Sequence, residues 1–348
     1  MLQTRSSDHA PMIAPGHRVF GIKIGSAAVV VIVLALLPLY ASEYAVSVGI
    51  LIFLYMSLGQ MWNLLAGYSG LVSLGQQIFV GIGGYTLAMV TQAYQLSIAL
   101  SFFIAAGISV VFAFIVSFPI FKMSGVYFTV GTWIVSEAML VFFRNWEFVK
   151  YDAGYNITVA YRISMPALYL GSLAVGVGSV VLVFLILRSK LGLALMAIRD
   201  NEGAAETRGV RLYRTKLACF LISSVYTAIT GVVLYLNITY VKPGAAFGID
   251  WTVCMVFIAV IGGLGTIEGP IIGAVIYVIL RQYLYNFPGI SMIILGVVAV
   301  AIIMLAPAGI MGVLRNKFGF TFFSVGRQLP AGFGSIRKKA AGRRGRPS

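Results

Sequence analysis

Few residues in this 348-residue chain could carry out catalysis. Both histidines, His9 and His17, lie near the N-terminus, and the two cysteines, Cys219 and Cys254, lie apart in apolar stretches. This distribution provides neither a His/Cys metal-ligand cluster nor a Ser/His pair within the apolar regions. The dipeptide Gly-Lys does not occur, so the sequence contains no Walker A loop. The sequence therefore predicts no catalytic residue, no metal site and no ATP site, and we do not expect an enzyme.

A small set of polar residues lies inside apolar segments, where it could contact a solute. Glu137 is the clearest case, because a carboxylate in a lipid environment costs roughly 2.5–3.5 kcal/mol on insertion scales and should face other helices or water. It could bind an ammonium group of a substrate or serve as a structural hydrogen-bond anchor. The other polar residues could touch substrate or pair with one another across helices. The candidate translocation path comprises Asn63, Gln76, Gln77, Tyr85, Thr129, Thr132 and Glu137.

The segment 188–215 carries the sharpest local pattern. Leu191, Leu195 and Ile198 recur at helical spacing, which predicts a short amphipathic helix. Asp200 or Asn201 could cap a second helix that starts near Glu202.

The predicted second helix is rich in alanine and should stop at Gly209, since glycine commonly ends helices. A short helix with small residues suits a groove in a partner protein, with charged neighbours pairing at the rim. The alternative is a solvated basic loop that only sets topology. The residues assigned to partner contact are Arg199, Asp200, Asn201, Glu202, Gly203, Ala204, Ala205, Glu206 and Gly209.

The elements that must position these residues are membrane helices. The chain is 60% hydrophobic and 10% charged, whereas ordinary soluble domains carry about a quarter charged residues. With about 20 apolar residues needed per span, we predict an all-α, polytopic transmembrane helical bundle of about ten spans. They lie near 24–41, 45–65, 76–94, 97–118, 124–144, 167–187, 216–240, 250–265, 269–287 and 289–307. The first could be a signal peptide, but the many later spans favour an uncleaved helix.

The net charge of +15 is concentrated in two blocks. Residues 188–216 and 315–348 hold 16 of the 25 Lys/Arg, and both blocks flank apolar spans. This is typical of cytoplasmic segments under the positive-inside rule and argues against nucleic-acid binding. Both termini are therefore predicted to be cytoplasmic, with a cytoplasmic N-terminal arm at 1–23, a transmembrane domain at 24–314 and a disordered basic tail at 315–348.

Two glycine-rich stretches differ from simple spans, and they lie in opposite halves of the chain. Such paired interruptions point either to broken helices beside a binding pathway or to tight packing seams. Their members are Gly67, Gly70, Gly75 and Gly81 in the first, and Gly262, Gly263, Gly265 and Gly269 in the second.

Residues 194–210, Ala-Leu-Met-Ala-Ile-Arg-Asp-Asn-Glu-Gly-Ala-Ala-Glu-Thr-Arg-Gly-Val, resemble the coupling loop of LIV-type branched-chain amino-acid ABC permeases of bacteria. ABC importers in general carry the pattern Glu-Ala-Ala-x-x-x-Gly in this loop. In this chain Gly203 occupies the position of the glutamate, and Glu202 lies one residue before it. Residues 151–158 also depart from the family's Thr-Gly-Gly. The resemblance covers about 45–314 and extends to Gly67-Tyr68, Ser73-Leu74-Gly75, Tyr127-Phe128, Glu137, Gly262-Gly-Leu-Gly-Thr266, Gly269-Pro270 and Pro307-Ala-Gly309.

The resemblance implies one permease of a heteromeric importer in the bacterial inner (plasma) membrane, of the longer permease type. Its expected partners are a second, related permease, two cytoplasmic ATPases that bind the ATP, and a periplasmic substrate-binding protein that sets selectivity. The chain itself would need no cofactor. The alternative function is a self-sufficient secondary transporter or channel for a small polar solute; a scaffold would leave the loop and the glycine stretches unexplained.

Overall fold

The computed structural model describes residues 17–284, scattered positions between 293 and 306, and residues 308–318. The described elements are almost all helical, in agreement with the predicted all-α class. The helices are α1 His17–Leu36, α2 Glu43–Asn63, α3 Gln77–Ala88, α4 Ile98–Ile120, α5 Val126–Asn145, α6 Met165–Arg188, α7 Lys190–Asp200, α8 Glu202–Thr207, α9 Leu212–Ile238, α10 Pro243–Ala246, α11 Asp250–Gly262, α12 Gly269–Leu284 and α13 Gly309–Phe318.

Short elements complete the described chain. A π-helical turn extends α2 over Leu64–Tyr68, and another extends α3 over Met89–Ala93. Two short strands, β1 Tyr155–Asn156 and β2 Tyr240–Val241, pair antiparallel. Turns of 3-10 helix lie at Leu37–Leu39, Glu147–Val149, Tyr151–Ala153 and Thr158–Arg162.

Within the described residues, six helical stretches are long and apolar enough to cross a membrane, which supports a multi-pass membrane protein. They coincide with the predicted spans at 45–65, 97–118, 124–144, 167–187, 216–240 and 250–265, and the structure places them at Glu43–Tyr68, Ile98–Ile120, Val126–Asn145, Met165–Arg188, Leu212–Ile238 and Pro243–Gly262.

The count of ten spans and the cytoplasmic placement of the termini stay predictions. The predicted spans at 76–94 and 269–287 fall on the shorter helices α3 and α12. The one at 24–41 falls on α1, where the shorter apolar stretch is Gly25–Leu39. The one at 289–307 falls mostly outside the described residues, as do the arm before residue 17 and the tail beyond 318. Helix α13 continues to Phe318, past the predicted domain boundary at 314.

The bundle has two ends with different connections. At one end, here called the loop face, lie α7 and α8 and the start of α9, where the Tyr213 hydroxyl is 3.1 Å from Ser117 Oγ near the end of α4. At the other end, the strand face, β1 and β2 join the segment after α5 to the segment after α9. The chain therefore crosses from face to face along α4, α5, α6 and α9.

Helix α3 packs directly on α9 through glycines. A Cβ atom at Gly83 would overlap the Ala228 carbonyl oxygen, and one at Gly231 would lie 2.7 Å from the Val80 carbonyl oxygen. Close backbone approach through small residues is how membrane helices associate, since lipid supplies little hydrophobic driving force between helices. This seam fixes α3, and with it the glycine-rich segment that precedes it.

Candidate functional site

The first loop helix, α7, forms as its spacing predicts. The Ser189 side chain caps it by accepting hydrogen bonds from the backbone N–H of Leu191 (3.1 Å) and Gly192 (3.4 Å). Leu195 and Ile198 are buried against the bundle. The predicted amphipathic helix is confirmed, with its apolar side turned to the spans.

The second loop helix, α8, is short and held at several points. Asn201 Oδ1 accepts a hydrogen bond from the Ala204 N–H at 2.9 Å. Of the two residues predicted as the N-cap, Asp200 and Asn201, it is therefore Asn201 that caps α8. Ala205 is 2% exposed, whereas the rest of α8 faces outward. Gly209 follows with φ +83°, a left-handed conformation that glycine adopts at helix ends without strain.

Glu202 ties α8 to the next span. Its carboxylate lies 2.7 Å from Lys216 Nζ, and the Lys216 side chain is only 11% exposed. A partly buried ammonium requires a partner, so this pair anchors the start of α8 to α9. The sequence did not identify Lys216, because it lies within the basic block that precedes the span.

Arg199 reaches from the loop into the bundle. Its Nη1 donates to the Gly67 carbonyl oxygen at 2.9 Å across 132 positions of sequence, and its Nη2 lies 3.3 Å from Asp200 Oδ1. The sequence placed Arg199 on the surface for partner contact. No local pattern could indicate the contact with Gly67, because nothing in the spacing relates the two positions.

The two glycine-rich stretches meet at this point. Asn63 Oδ1 accepts from the Gly265 N–H at 2.8 Å, and Asn63 Nδ2 donates to the Thr266 carbonyl at 2.8 Å. One turn earlier, Gln60 Nε2 donates to the Ile267 carbonyl at 2.6 Å. Asn63, predicted to lie on the path, thus binds the backbone of the second stretch, and the i, i+3 spacing to Gln60 was the signal that could have identified its companion.

Replacing Asn63 with alanine should lower stability. The change removes both hydrogen bonds of the Asn63 side chain and leaves the partly buried Gly265 N–H and Thr266 carbonyl without this partner, at a cost of about 1–3 kcal/mol. The melting temperature in detergent should fall. Asn145→Ala is the matched control, because the exposed Asn145 side chain donates only to Val141 O of its own helix. Equal melting temperatures for the two variants would contradict a stabilising role of the Asn63 hydrogen bonds.

Other glycines of the two stretches are close-packing positions. A Cβ at Gly75 would lie 2.5 Å from the Thr132 carbonyl oxygen, and one at Gly81 would overlap the Phe247 ring. A Cβ at Gly262 would overlap the Gly269 carbonyl. The stretches therefore interrupt α2/α3 and α11/α12 and also pack tightly, whereas their place beside a binding pathway stays a prediction.

Thr129 and Thr132 hold the first stretch in its irregular conformation. Thr129 Oγ1 donates to the Val72 carbonyl at 2.8 Å, and the Leu74 N–H donates to Thr132 Oγ1 at 3.0 Å. The Trp62 indole N–H adds a bond to the Ser73 carbonyl at 2.9 Å. Backbone that leaves the helix inside a membrane needs such internal partners, and this accounts for both threonines.

Gln76, Gln77 and Tyr85 are fully buried behind that segment. The Gln76 side-chain oxygen accepts from Thr227 Oγ1 at 3.4 Å, and the Gln77 oxygen accepts from Thr252. Both amide nitrogens and the Tyr85 hydroxyl are without a hydrogen-bond partner in the described part of the chain. Their place on a solute path stays a prediction.

Glu137 lies midway along α5 and is half-buried. Within the described residues its carboxylate makes no hydrogen bond and no ion pair. The α5 face that packs on the bundle carries Phe128, Thr132 and Leu140, and Glu137 lies at the edge of that face. The structural-anchor interpretation therefore has no described partner to support it.

Comparison with known proteins settles the family. Residues 40–307 match the model of the family described as "Branched-chain amino acid transport system / permease component". The chain belongs to this permease family. The match covers every described span from α2 to α12, and the predicted resemblance is confirmed.

Curated relatives agree with this assignment. The permease is 26% identical to the high-affinity branched-chain amino acid transport system permease protein LivM of Salmonella typhimurium, over 80% of this chain and 73% of that one. LivM of Escherichia coli gives the same identity and coverage. The probable branched-chain amino acid transport permease protein LivH of Methanocaldococcus jannaschii is 28% identical over 39% of this chain and 45% of its own. No solved structure matches.

Proposed function

We propose that this permease is one membrane subunit of a binding-protein-dependent ABC importer that moves branched-chain amino acids inward. The observation that carries the proposal is the family match over 40–307. Two cytoplasmic ATPase subunits bind and hydrolyse ATP, a second related permease completes the membrane part, and a periplasmic binding protein delivers the solute. The complex lies in the bacterial inner membrane, with the loop face in the cytoplasm.

The loop face supports the position of the ATPases. Asn201 caps helix α8, Ala205 and Glu202 hold it to the bundle, and the rest of the helix is exposed. A short helix that is rigidly seated and exposed on its outer side suits insertion into a groove of a partner. Motion of the ATPases on binding ATP then reaches the membrane through α8.

The strand face supports a docking surface for the binding protein. The segments 145–166 and 242–249 both lie at this face, and the β1–β2 pair joins them with Tyr155 opposite Val241. A salt bridge of 3.5 Å between Arg144 and Asp152 closes the first segment. The two loops therefore form one surface on which the loaded binding protein sits.

Glu137 is the candidate substrate contact at membrane depth. We expect Glu137→Gln to lower leucine uptake at limiting leucine concentration by at least about tenfold, since a hydrogen bond to a charged group contributes about 1.5–3 kcal/mol. Stability should not fall, because the carboxylate has no partner in the described chain. The measurement is uptake of radiolabelled leucine into proteoliposomes, with the melting temperature as control. Unchanged uptake and affinity would remove the binding role.

The test of the proposed function is purification of the tagged permease from its native cell in mild detergent, with mass spectrometry of the proteins retained. We expect two Walker-type ATPases and a sibling permease. Recovery of the chain alone, in a preparation that preserves other ABC complexes, would instead favour a self-sufficient carrier. Uptake of leucine, isoleucine and valine by the reconstituted complex then tests the substrate class.

A further inference from the structure

Arg199 divides its guanidinium between two different parts of the molecule. Nη1 donates inward to the Gly67 carbonyl at 2.9 Å, while Nε and Nη2 face outward to Asp200 Oδ1 at 3.4 and 3.3 Å. The planar fork of arginine allows donors to point in two fixed directions at once, which the single ammonium of lysine does not. The side chain is 40% exposed, so it stands at the boundary between bundle and solvent.

The inward contact ends on the junction of the two glycine-rich stretches. Gly67 lies in the π-helical turn Leu64–Tyr68 that ends α2. Carbonyl groups at a helix C-terminus lack intrahelical partners, and the helix dipole favours a cation there. Gly265 (φ +73°) crosses at the same point: a Cβ there would lie 3.1 Å from the Gly67 oxygen and 3.2 Å from Arg199 Nη1. Three backbone and side-chain groups therefore meet at a single contact.

The junction moves as a unit because Asn63 joins its two sides. Asn63 lies one helical turn before Gly67 at the end of α2, and its side chain binds both Gly265 and Thr266. A displacement of the Gly67 carbonyl therefore also displaces the turn after α11. Through Thr266, whose hydroxyl accepts from the Gly269 N–H at 3.0 Å, the start of α12 follows.

The outward contact ends next to α8. Asp200 is the last residue of α7, and the following residue, Asn201, caps α8. Arg199 therefore stands two residues before the cap of the exposed helix and touches the interior of the bundle directly.

We infer that Arg199 is a positioning residue that ties α8 to the junction of the two glycine-rich stretches, so that movement of the loop is passed to residues 67–70 and 263–266 together. This rests on the proposed function, because the movement comes from the ATPases. It gives Arg199 a role distinct from the surface contact that its sequence suggested.

The competing explanation is that Arg199 only stabilises the end of α2. The two differ in what they predict. A stabilising contact changes the melting temperature and leaves the response to nucleotide intact. A positioning residue changes that response even where the protein is folded and the complex is assembled.

The experiment measures how accessible each glycine-rich stretch is to a thiol reagent. A single cysteine is placed at Val72 or at Leu264, which are 42% and 48% exposed, and its rate of maleimide labelling is measured in the assembled complex with and without ATP and vanadate. The two natural cysteines, Cys219 and Cys254, are buried and give a low background. Leucine uptake and ATP hydrolysis are measured on the same preparations.

In the parent complex, nucleotide should change the labelling rate at both positions. Arg199→Gln should abolish this change and lower leucine uptake per ATP hydrolysed roughly tenfold, a typical size for coupling between sites. Arg199→Lys should retain only part of the labelling change and part of the uptake per ATP hydrolysed. Arg214→Gln is the matched control, since Arg214 is an exposed cation in the first turn of α9, and it should behave as the parent.

Two results would overturn the inference while the proposed function stands. The first is a nucleotide-dependent change that persists in Arg199→Gln, and the second is a parent complex that transports leucine with no change at either cysteine. Failure of the proposed function looks different: no ATPase copurifies with the parent chain and the parent takes up no leucine.

Discussion

Replacing Gly83 with leucine should prevent the permease from folding. The Gly83 Cα lies so close to α9 that even a Cβ would overlap the Ala228 carbonyl oxygen. The obstacle is backbone, which cannot rotate away as a side chain can, so α3 and α9 would have to separate. Overpacking typically costs about 1–3 kcal/mol, and separation also removes the contacts along the rest of the seam.

The consequences would spread from the seam to the site. Helix α3 follows the glycine-rich segment held by Thr129 and Thr132, and Gln76 at its start faces Thr227 of α9. Moving α3 would disturb all of these contacts. We therefore expect loss of the monodisperse peak in fluorescence-detected size-exclusion chromatography, not a small fall in melting temperature.

The chain offers a close control for this change. Gly107 in α4 is exposed, and a Cβ atom at this position would have no neighbouring atom within 4 Å, so Gly107→Leu adds the same side chain on an open helix surface. It should elute as the parent does. Gly231→Leu tests the seam from the other side, because its Cβ would lie 2.7 Å from the Val80 oxygen. A normal elution profile for Gly83→Leu would show that the two helices are not in backbone contact.

Features that depend on neighbours in sequence were predictable. Apolar length located the six long spans, because a lipid solvent leaves few alternatives to a helix. The spacing of Leu195 and Ile198 and the cap at Asn201 located α7 and α8, since both patterns act within one or two turns.

Features that depend on packing were not predictable. Glycine content could not say that Gly67 meets Gly265, and polarity at membrane depth could not separate Thr129, which binds backbone, from Glu137, which has no partner in the described chain. Many pairings of buried polar groups satisfy the same rules, and only the arrangement of the helices selects among them. The contact of Arg199 with Gly67 is of this kind.

Replacing Ala205 with leucine should abolish transport while leaving the permease folded and inserted. Ala205 is the residue of α8 that is buried against the bundle, at 2% exposure. Leucine adds three heavy atoms beneath a helix of six residues, and strain of about 1–3 kcal/mol is enough to lift so short a helix from its seat. Because α8 lies outside the spans, the membrane helices should not change.

Gly209 tests the same helix from its end. At φ +83° a β-branched residue is strained by roughly 1–3 kcal/mol, so Gly209→Val should also displace α8. Gly209→Asn should retain more transport, since asparagine tolerates the left-handed region better.

The measurements are leucine uptake in proteoliposomes, retention of the ATPases on purification and the melting temperature of the permease. Uptake should fall at least about tenfold, as expected when coupling of typical size is lost, the ATPases should be retained less well, and the melting temperature should stay near that of the parent. Ala28→Leu, the same change at an exposed position of α1, should leave all three unchanged. If both Ala205→Leu and Gly209→Val transport normally, α8 is not the helix that the ATPases move. A low melting temperature of Ala205→Leu would instead mean that this substitution damages the fold. In that case Gly209→Asn decides the role of α8: a partial loss of uptake, in proportion to the backbone strain, is expected only if α8 transmits the motion of the ATPases.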